Sequence, residues 1–402
     1  MYRSLRLQFL RRKLPGNIQF LANESTEATI ELQSKFLLHN LDEGPSQTVT
    51  LKKEDGKSFL RDMDLIRKFE NSCAQMYREK IIRGFCHLYA GQEAVGVGVF
   101  AAMRPQDICI TSYRAHGLAY MMGATIEEVL CELTGRTSGV SRGKGGSMHM
   151  YAPRMFGGNG IVGSHIPVGT GMGFALKYKG SDAISITMYG DGAANQGQCF
   201  EAFNLAKLFD VPVVFICENN HFGLGTFYKR VSANSKFYTR CDYIPGIYVD
   251  GMDVLAVRQG ISFAIDHVVK GKGPIIVECM TYRYYGHSMS DPGTSYRTRE
   301  EIEETREKRD CLKKFKNYLL SSNLLTSEEI KNIEREDKKR VDKATDFSKK
   351  DKIPALEELN TDVYVNCLEP IKNISPYKPL PHINSKNFPS NLDIFTMVHM
   401  QY

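Results

Sequence analysis

No stretch of these 402 residues approaches the ~20 consecutive apolar residues that a membrane span needs, so the chain does not read as a transmembrane protein. Ten cysteines are present, yet none forms a CxxC pair or a metal-ligand cluster. That pattern argues against a zinc module or redox dithiol and fits reduced, mostly buried thiols in a non-secretory compartment. The GxxxxGKS or GxxxxGKT phosphate loop is missing, and no GxGxxG is read at a strand–helix turn, which disfavours a nucleotide-binding βαβ protein. No internal repeat is visible. Acid is missing from residues 1–23, which hold Arg3, Arg6, Arg11, Arg12 and Lys13. Almost all of the net charge of +6 therefore sits in this leader, which removes the case for a basic nucleic-acid-binding surface. An Arg-rich, acid-free start with interspersed Leu and Phe has the character of a mitochondrial transit peptide.

What is present fits a globular α/β protein. The apolar fraction of 42% is ordinary, and this length suits one large domain with extensions. Beyond the leader, 24–57 reads as a polar N-terminal arm with alternating segments. An α/β domain follows over 58–299, then a charged helical region over 300–370 and a proline-punctuated, irregular tail over 371–402. Within the domain, apolar spacing predicts helices over 59–82, 88–103, 125–133, 195–209 and 254–269. Short apolar runs predict strands over 107–111, 183–189, 211–217, 246–250 and 274–280. The glycine-rich stretch 135–169 has little periodicity and reads as one long loop, ordered as the lining of a site. Acids and bases over 300–347 read as a solvated helical face.

The most informative spacing lies at 183–220. The run AISITMYG ends in Gly190-Asp191-Gly192, and the next apolar run, VPVVFICEN, ends in Asn219-Asn220. Strand, helix and strand in so few residues make a βαβ unit, whose strands run parallel and adjacent. Asp191 and Asn220 then share the sheet edge where open α/β sheets bind ligands. An aspartate carboxylate, an asparagine oxygen and a backbone carbonyl are hard ligands that suit magnesium or calcium rather than zinc, and phosphate oxygens usually complete a magnesium shell. Gly192 lets the backbone turn sharply and leaves room for a phosphate near a helix start.

GDG followed by NN resembles the thiamine diphosphate-binding motif, and further blocks sharpen the resemblance. GFCHLYAGQEA (84–94), TSYRAHG (111–117), GRTSGVSRGKGGSMHMY (135–151) and GGNGIVG (157–163) precede MYGDGAANQGQ (188–198). CENNHFGLGT (217–226) and TYRYYGHSMSDPGTSYRTREE (281–301) follow it. Seven blocks in this order, spanning about 57–359, resemble the alpha subunits of the thiamine diphosphate-dependent component of mitochondrial pyruvate dehydrogenase.

The resemblance implies a thiamine diphosphate-binding α/β fold, with a mostly parallel sheet flanked by helices and a helical C-terminal extension. It implies magnesium on Asp191, Asn220 and the Phe222 carbonyl, where the family usually has tyrosine. Tyr113 and Arg114 would meet the diphosphate end, as would the amides of Gly192 and Ala193. Gly160 and Val162 would face the aminopyrimidine, with Ala152 nearby, and His87 and His287 would lie at the reacting end. The implied reaction decarboxylates a 2-oxo acid in the mitochondrial matrix and passes the product to a lipoyl domain of dihydrolipoyl acetyltransferase. A separate beta subunit, in an α2β2 heterotetramer, would supply the glutamate that activates the cofactor ring. Ser288 and Ser295 match seryl positions that a kinase and a phosphatase control in the family, whereas a third such site falls on Phe227. The alternatives are a branched-chain 2-oxo acid or acetoin dehydrogenase alpha subunit, or a non-catalytic regulatory paralogue.

Overall fold

A computed structural model of the chain describes residues 26–362. The predicted leader and irregular tail lie outside the described residues. Strands β1 (Glu27–Glu31), β2 (Leu37–His39) and β3 (Thr48–Lys52) open the fold. β1 and β3 pair antiparallel, while β2 departs to join the main sheet. Helix α1 (Lys53–Arg78) starts earlier than apolar spacing predicts, with Glu54 and Asp55 favouring its positive N-terminal end. Lys80, at φ 60°, lies just past its end.

Helix α2 (Glu93–Ala102) starts later than predicted. Gly91 sits at φ 104°, and a Cβ there would lie 2.3 Å from the Tyr282 carbonyl oxygen. Residues 86–92 therefore cross the top of the sheet as irregular chain. Strand β4 (Ile108–Ser112) and helices α3 (His116–Met121) and α4 (Ile126–Leu133) follow. The predicted loop over 135–169 is not one loop. It contains strand β5 (Met155–Asn159) and the start of helix α5 (His165–Tyr178). Two glycines in MFGGN hid an edge strand that pairs with β4 alone. The segment GNGIVG (158–163) thus does join a strand to a helix. It does not make a mononucleotide unit, because β4 separates β5 from the next strand, β6 (Ser185–Gly190).

Helix α6 (Gly197–Leu208) and strand β7 (Val213–Asn219) complete the predicted βαβ unit, with β6 and β7 parallel and adjacent. A short hairpin, β8 (Phe222–Gly223) with β9 (Thr226–Phe227), and helix α7 (Tyr228–Val231) follow β7. Strand β10 (Gly246–Asp250), helix α8 (Val254–Val269) and strand β11 (Ile275–Met280) close the domain. Helices α9 (Arg299–Arg309), α10 (Cys311–Ser321) and α11 (Ser327–Lys350) follow.

The seven-stranded sheet runs β2-β10-β11-β7-β6-β4-β5, and every pairing in it is parallel except β2 with β10. All seven residues of β7 are buried, as a central strand covered on both faces requires. The chain passes from β4 outward to β5, then back across β4 to β6, so the strand order reverses at β4. Its C-terminal edge is the switch point where such sheets hold ligands. The charged C-terminal region is more than a solvated face. α9 buries no residue, but α11 buries Ile330, Ile333, Val341 and Ala344 at helical spacing and packs on α1 and α4. No helix among the described residues is long and apolar enough to cross a membrane.

Candidate active site

A cleft of about 460 Å³ opens at that switch point, lined by strand ends that sequence places far apart. β4 delivers Tyr113 and Arg114, β6 delivers Asp191 and Gly192, β7 delivers Asn220, and β11 leads to Arg283 and His287. Asp191 and Asn220 are both buried. Asn220 Oδ1 takes the Phe222 amide at 3.4 Å, and the backbone turns through His221 (φ 78°) and Leu224 (φ 49°). Non-glycine residues at positive φ are uncommon and cluster at functional turns. Gly192 and Gly223 face one another, since a Cβ on Gly223 would lie 3.1 Å from the Gly192 Cα. A side chain at either position would push the Asp191 and Phe222 turns apart.

The electrostatics of the cleft are unusual. Arg114 is buried and donates to the Leu88 carbonyl at 2.7 Å and the His287 carbonyl at 2.8 Å. Arg283 is 1% exposed and donates to the Phe222 carbonyl at 2.9 Å, to Asn220 Oδ1 at 3.3 Å and to the Leu224 carbonyl at 3.2 Å. Burial, then the nearby Arg114 charge, pushes Arg283 down to about 10. Among the described residues no carboxylate lies within ion-pair distance of either guanidinium. Burial pushes Asp191 up to about 6, against the pull of Arg283. Two buried cations and one carboxylate whose charge burial disfavours, around an open volume, form a site prepared for further charge.

His87 and His287 meet edge to face at 5.2 Å between ring centroids, and Tyr113 lies 4.6 Å from His87 and 5.5 Å from His287. Burial, followed by Arg114, pushes His87 down to about 2 and His287 to about 3. Both imidazoles are therefore neutral donors or acceptors rather than cations at neutral pH. The sign gives a prediction. Above the ordinary value near 6.5 both rings are neutral whether the chain is folded or not, so stability is fully present there. As pH falls from about 6.5 toward 3 the unfolded chain binds protons that the folded one excludes, and stability is lost. Ring nitrogen NMR is expected to show no titration of either residue between pH 5 and 8, and a midpoint near 6.5 would contradict this environment.

His87 is held through its backbone. Its amide donates to Ser147 Oγ at 3.0 Å, Ser147 Oγ lies 2.7 Å from His116 Nε2, and His116 Nδ1 lies 3.1 Å from both Glu70 oxygens. Glu70 also takes the Tyr89 amide at 2.8 Å. Ser147 ends the glycine-rich loop, which a second buried carboxylate organises. Glu132 accepts the amides of Ser141 and Gly143 on one oxygen and those of Gly145 and Gly146 on the other, at 2.7–2.9 Å.

The sequence profile of the dehydrogenase E1 component family matches residues 61–357. The chain belongs to the dehydrogenase E1 component family. Relatives in this E1 family are close and nearly full length. The chain is 54% identical to a probable pyruvate dehydrogenase E1 component subunit alpha, mitochondrial, of Caenorhabditis elegans, covering 82% of this chain and 83% of that one. It is 52% identical to the type II mitochondrial E1 alpha subunit of Ascaris suum, covering 85% and 87%. It is 51% identical to the somatic mitochondrial E1 alpha subunit of Homo sapiens, again covering 85% and 87%.

As an E1 chain it brings most of the expected residues to one cleft. Tyr113, Arg114, Val162, Asp191, Gly192, Ala193, Asn220, Phe222 and His287 all line it. His87 reaches it through the ring contacts above. Gly160 does not line the cleft, and a Cβ there would meet His149 Cε1 at 3.4 Å. Ala152 does not line the cleft but bridges to Met155 beside it. Ser288 is buried, and Ser295 is exposed in the loop after β11. Sequence reasoning gave no role to Arg283, Gln92 or Glu218, which also line the cleft. The signal for Arg283 was available. It follows the end of a parallel strand as Arg114 does, inside the motif block TYRYYGHS.

Proposed function

We propose that the chain is the alpha subunit of a mitochondrial pyruvate dehydrogenase, an oxidoreductase of the matrix. It decarboxylates pyruvate oxidatively with thiamine diphosphate and passes the acetyl group to a lipoyl domain of dihydrolipoyl acetyltransferase. The observation that carries this reading is the switch-point cleft, where two buried guanidiniums without carboxylate partners line one volume together with Asp191 and Asn220. That charge pattern fits a metal diphosphate. Asp191, Asn220 Oδ1 and the Phe222 carbonyl would hold magnesium, because one carboxylate and two neutral oxygens leave the rest of its shell to phosphate and water.

Bound there, thiamine diphosphate supplies the electron sink that loss of carbon dioxide from a 2-oxo acid requires. The chain's own residues bind and orient. Arg114, with Tyr113 beside it, would take the phosphate end, and the Gly192 and Ala193 amides would be offered to it as well. Gly160 and Val162 would offer backbone to the aminopyrimidine, with Ala152 nearby. His87 and His287, both neutral, hold or move a proton at a ring nitrogen near the reacting carbon.

Val162, which lines the cleft, is 40% exposed, and Phe156 at 54% and Ile161 at 70% are exposed on strand β5 and the turn that follows it. Such a face supports a partner that covers it, the beta subunit of an α2β2 heterotetramer. Ser288 and Ser295 would be the positions where a kinase stops the enzyme and a phosphatase restores it, because their loop carries His287. Co-expression with a beta subunit tests the whole reading. Thiamine diphosphate-dependent turnover of pyruvate is expected from the assembly and none from the chain alone. Turnover by the isolated chain, or preference for a branched-chain 2-oxo acid, would overturn it.

A further inference from the structure

We infer that Gln92, oriented by Glu218, is a positioning residue that turns the Asn220 side-chain oxygen into the metal pocket. The inference rests on the magnesium reading above, and it concerns a question that the reading leaves open. An asparagine amide is nearly symmetric in shape, and its oxygen ligates only if its nitrogen points elsewhere. Something must decide between the two orientations.

On the nitrogen side of Asn220 the choice is set by a carboxylate. Glu218 is the penultimate residue of β7, on the same strand face as Asn220 two positions on. Its Oε1 accepts from the Tyr89 hydroxyl at 2.6 Å and from Gln92 Nε2 at 3.0 Å. A carboxylate can only accept, so the Gln92 nitrogen must face Glu218. Gln92 Oε1 then faces Asn220 and takes its Nδ2 at 3.0 Å. Asn220 Oδ1 is left facing the Phe222 amide and the Arg283 guanidinium, both donors. Reversing Asn220 would set its Nδ2 against two donors and its oxygen against the Gln92 oxygen.

Burial makes the sequence of polarities binding. Tyr89 and Gln92 are 1% exposed, Glu218 is 4% and Asn220 is 7%, so a reversed amide finds little water to replace the lost partners. Gln92 itself is placed by the backbone, at the start of α2 and directly after Gly91, where the close approach to Tyr282 admits only glycine.

The test uses the assembled alpha–beta protein with manganese(II) as the probe, followed by electron paramagnetic resonance in the presence of thiamine diphosphate. Glu218→Gln keeps size, shape and every hydrogen-bond partner but lets Gln92 turn round. It is expected to raise the manganese Kd about tenfold or more, with the melting temperature of the metal-free assembly unchanged. Gln92→Leu is expected to do the same, and turnover in both should recover at saturating manganese. An unchanged Kd in both variants, with Asp191→Ala losing the metal, overturns the orienting role alone. A Kd that rises only in step with a fall in melting temperature also counts against it, as a packing effect. Should Asp191→Ala bind manganese as tightly as the unsubstituted assembly, the magnesium reading fails and this inference falls with it.

Discussion

Asp191→Ala is expected to lower turnover of the alpha–beta assembly on the order of a thousandfold, without unfolding it. Asp191 contributes the single carboxylate among the three oxygens proposed for the metal, and the others are a neutral amide and a neutral carbonyl. Removing it leaves the buried Arg283 guanidinium beside an uncharged pocket, which repels a cation. The fold should tolerate the change. Asp191 is 2% exposed and its ionised form is disfavoured by burial, so in the metal-free protein its charge is a cost. Thermal melts of the metal-free variant are therefore expected to match or exceed those of the unsubstituted protein. Activity above a tenth of normal at ordinary metal concentration would contradict the assignment.

Ser288→Glu is expected to cut turnover by more than about a hundredfold, whereas Ser295→Glu should cost far less. The contrast comes from burial. Ser288 is 6% exposed, with Oγ 2.8 Å from Ser290 Oγ, and its carbonyl takes the Asp291 amide at 3.0 Å. Asp291 in turn accepts the His287 amide at 2.7 Å, the Gly293 amide at 2.9 Å and the Tyr296 hydroxyl at 2.5 Å. A charged side chain at 288 must leave this packed turn, and His287 goes with it. Ser295 is exposed and can present a charge to water. Steady-state kinetics of both variants with pyruvate check the ranking, and equal effects would show that burial is not what matters.

Apolar runs bounded by turn residues made β6, β7, β10 and β11 readable, because central strands of a parallel sheet are apolar on both faces. The helix over 254–269 was readable to its ends, since Asp253 caps it with bonds to Leu255 and Ala256. Strand β5 was not readable. Its glycines give no alternation, and it exists because β4 offers an open edge. Gly190-Asp191-Gly192 and Asn219-Asn220 pointed to the site because their spacing is a property of the βαβ unit. Gln92 and Glu218 were invisible in that role. Their use depends on two polar side chains from distant segments meeting in the wall of the cleft, and spacing along one chain does not record such a meeting.

The two margins of the sheet have a consequence for the life of the chain before it finds a partner. One margin is β2, three residues long and antiparallel to β10. The other is β5, with two glycines and a register shift against β4. Neither offers a long, flat ladder of free amides and carbonyls on which a second copy could add a strand. A chain awaiting a partner subunit is thereby protected from adding strands of its own copies edge to edge.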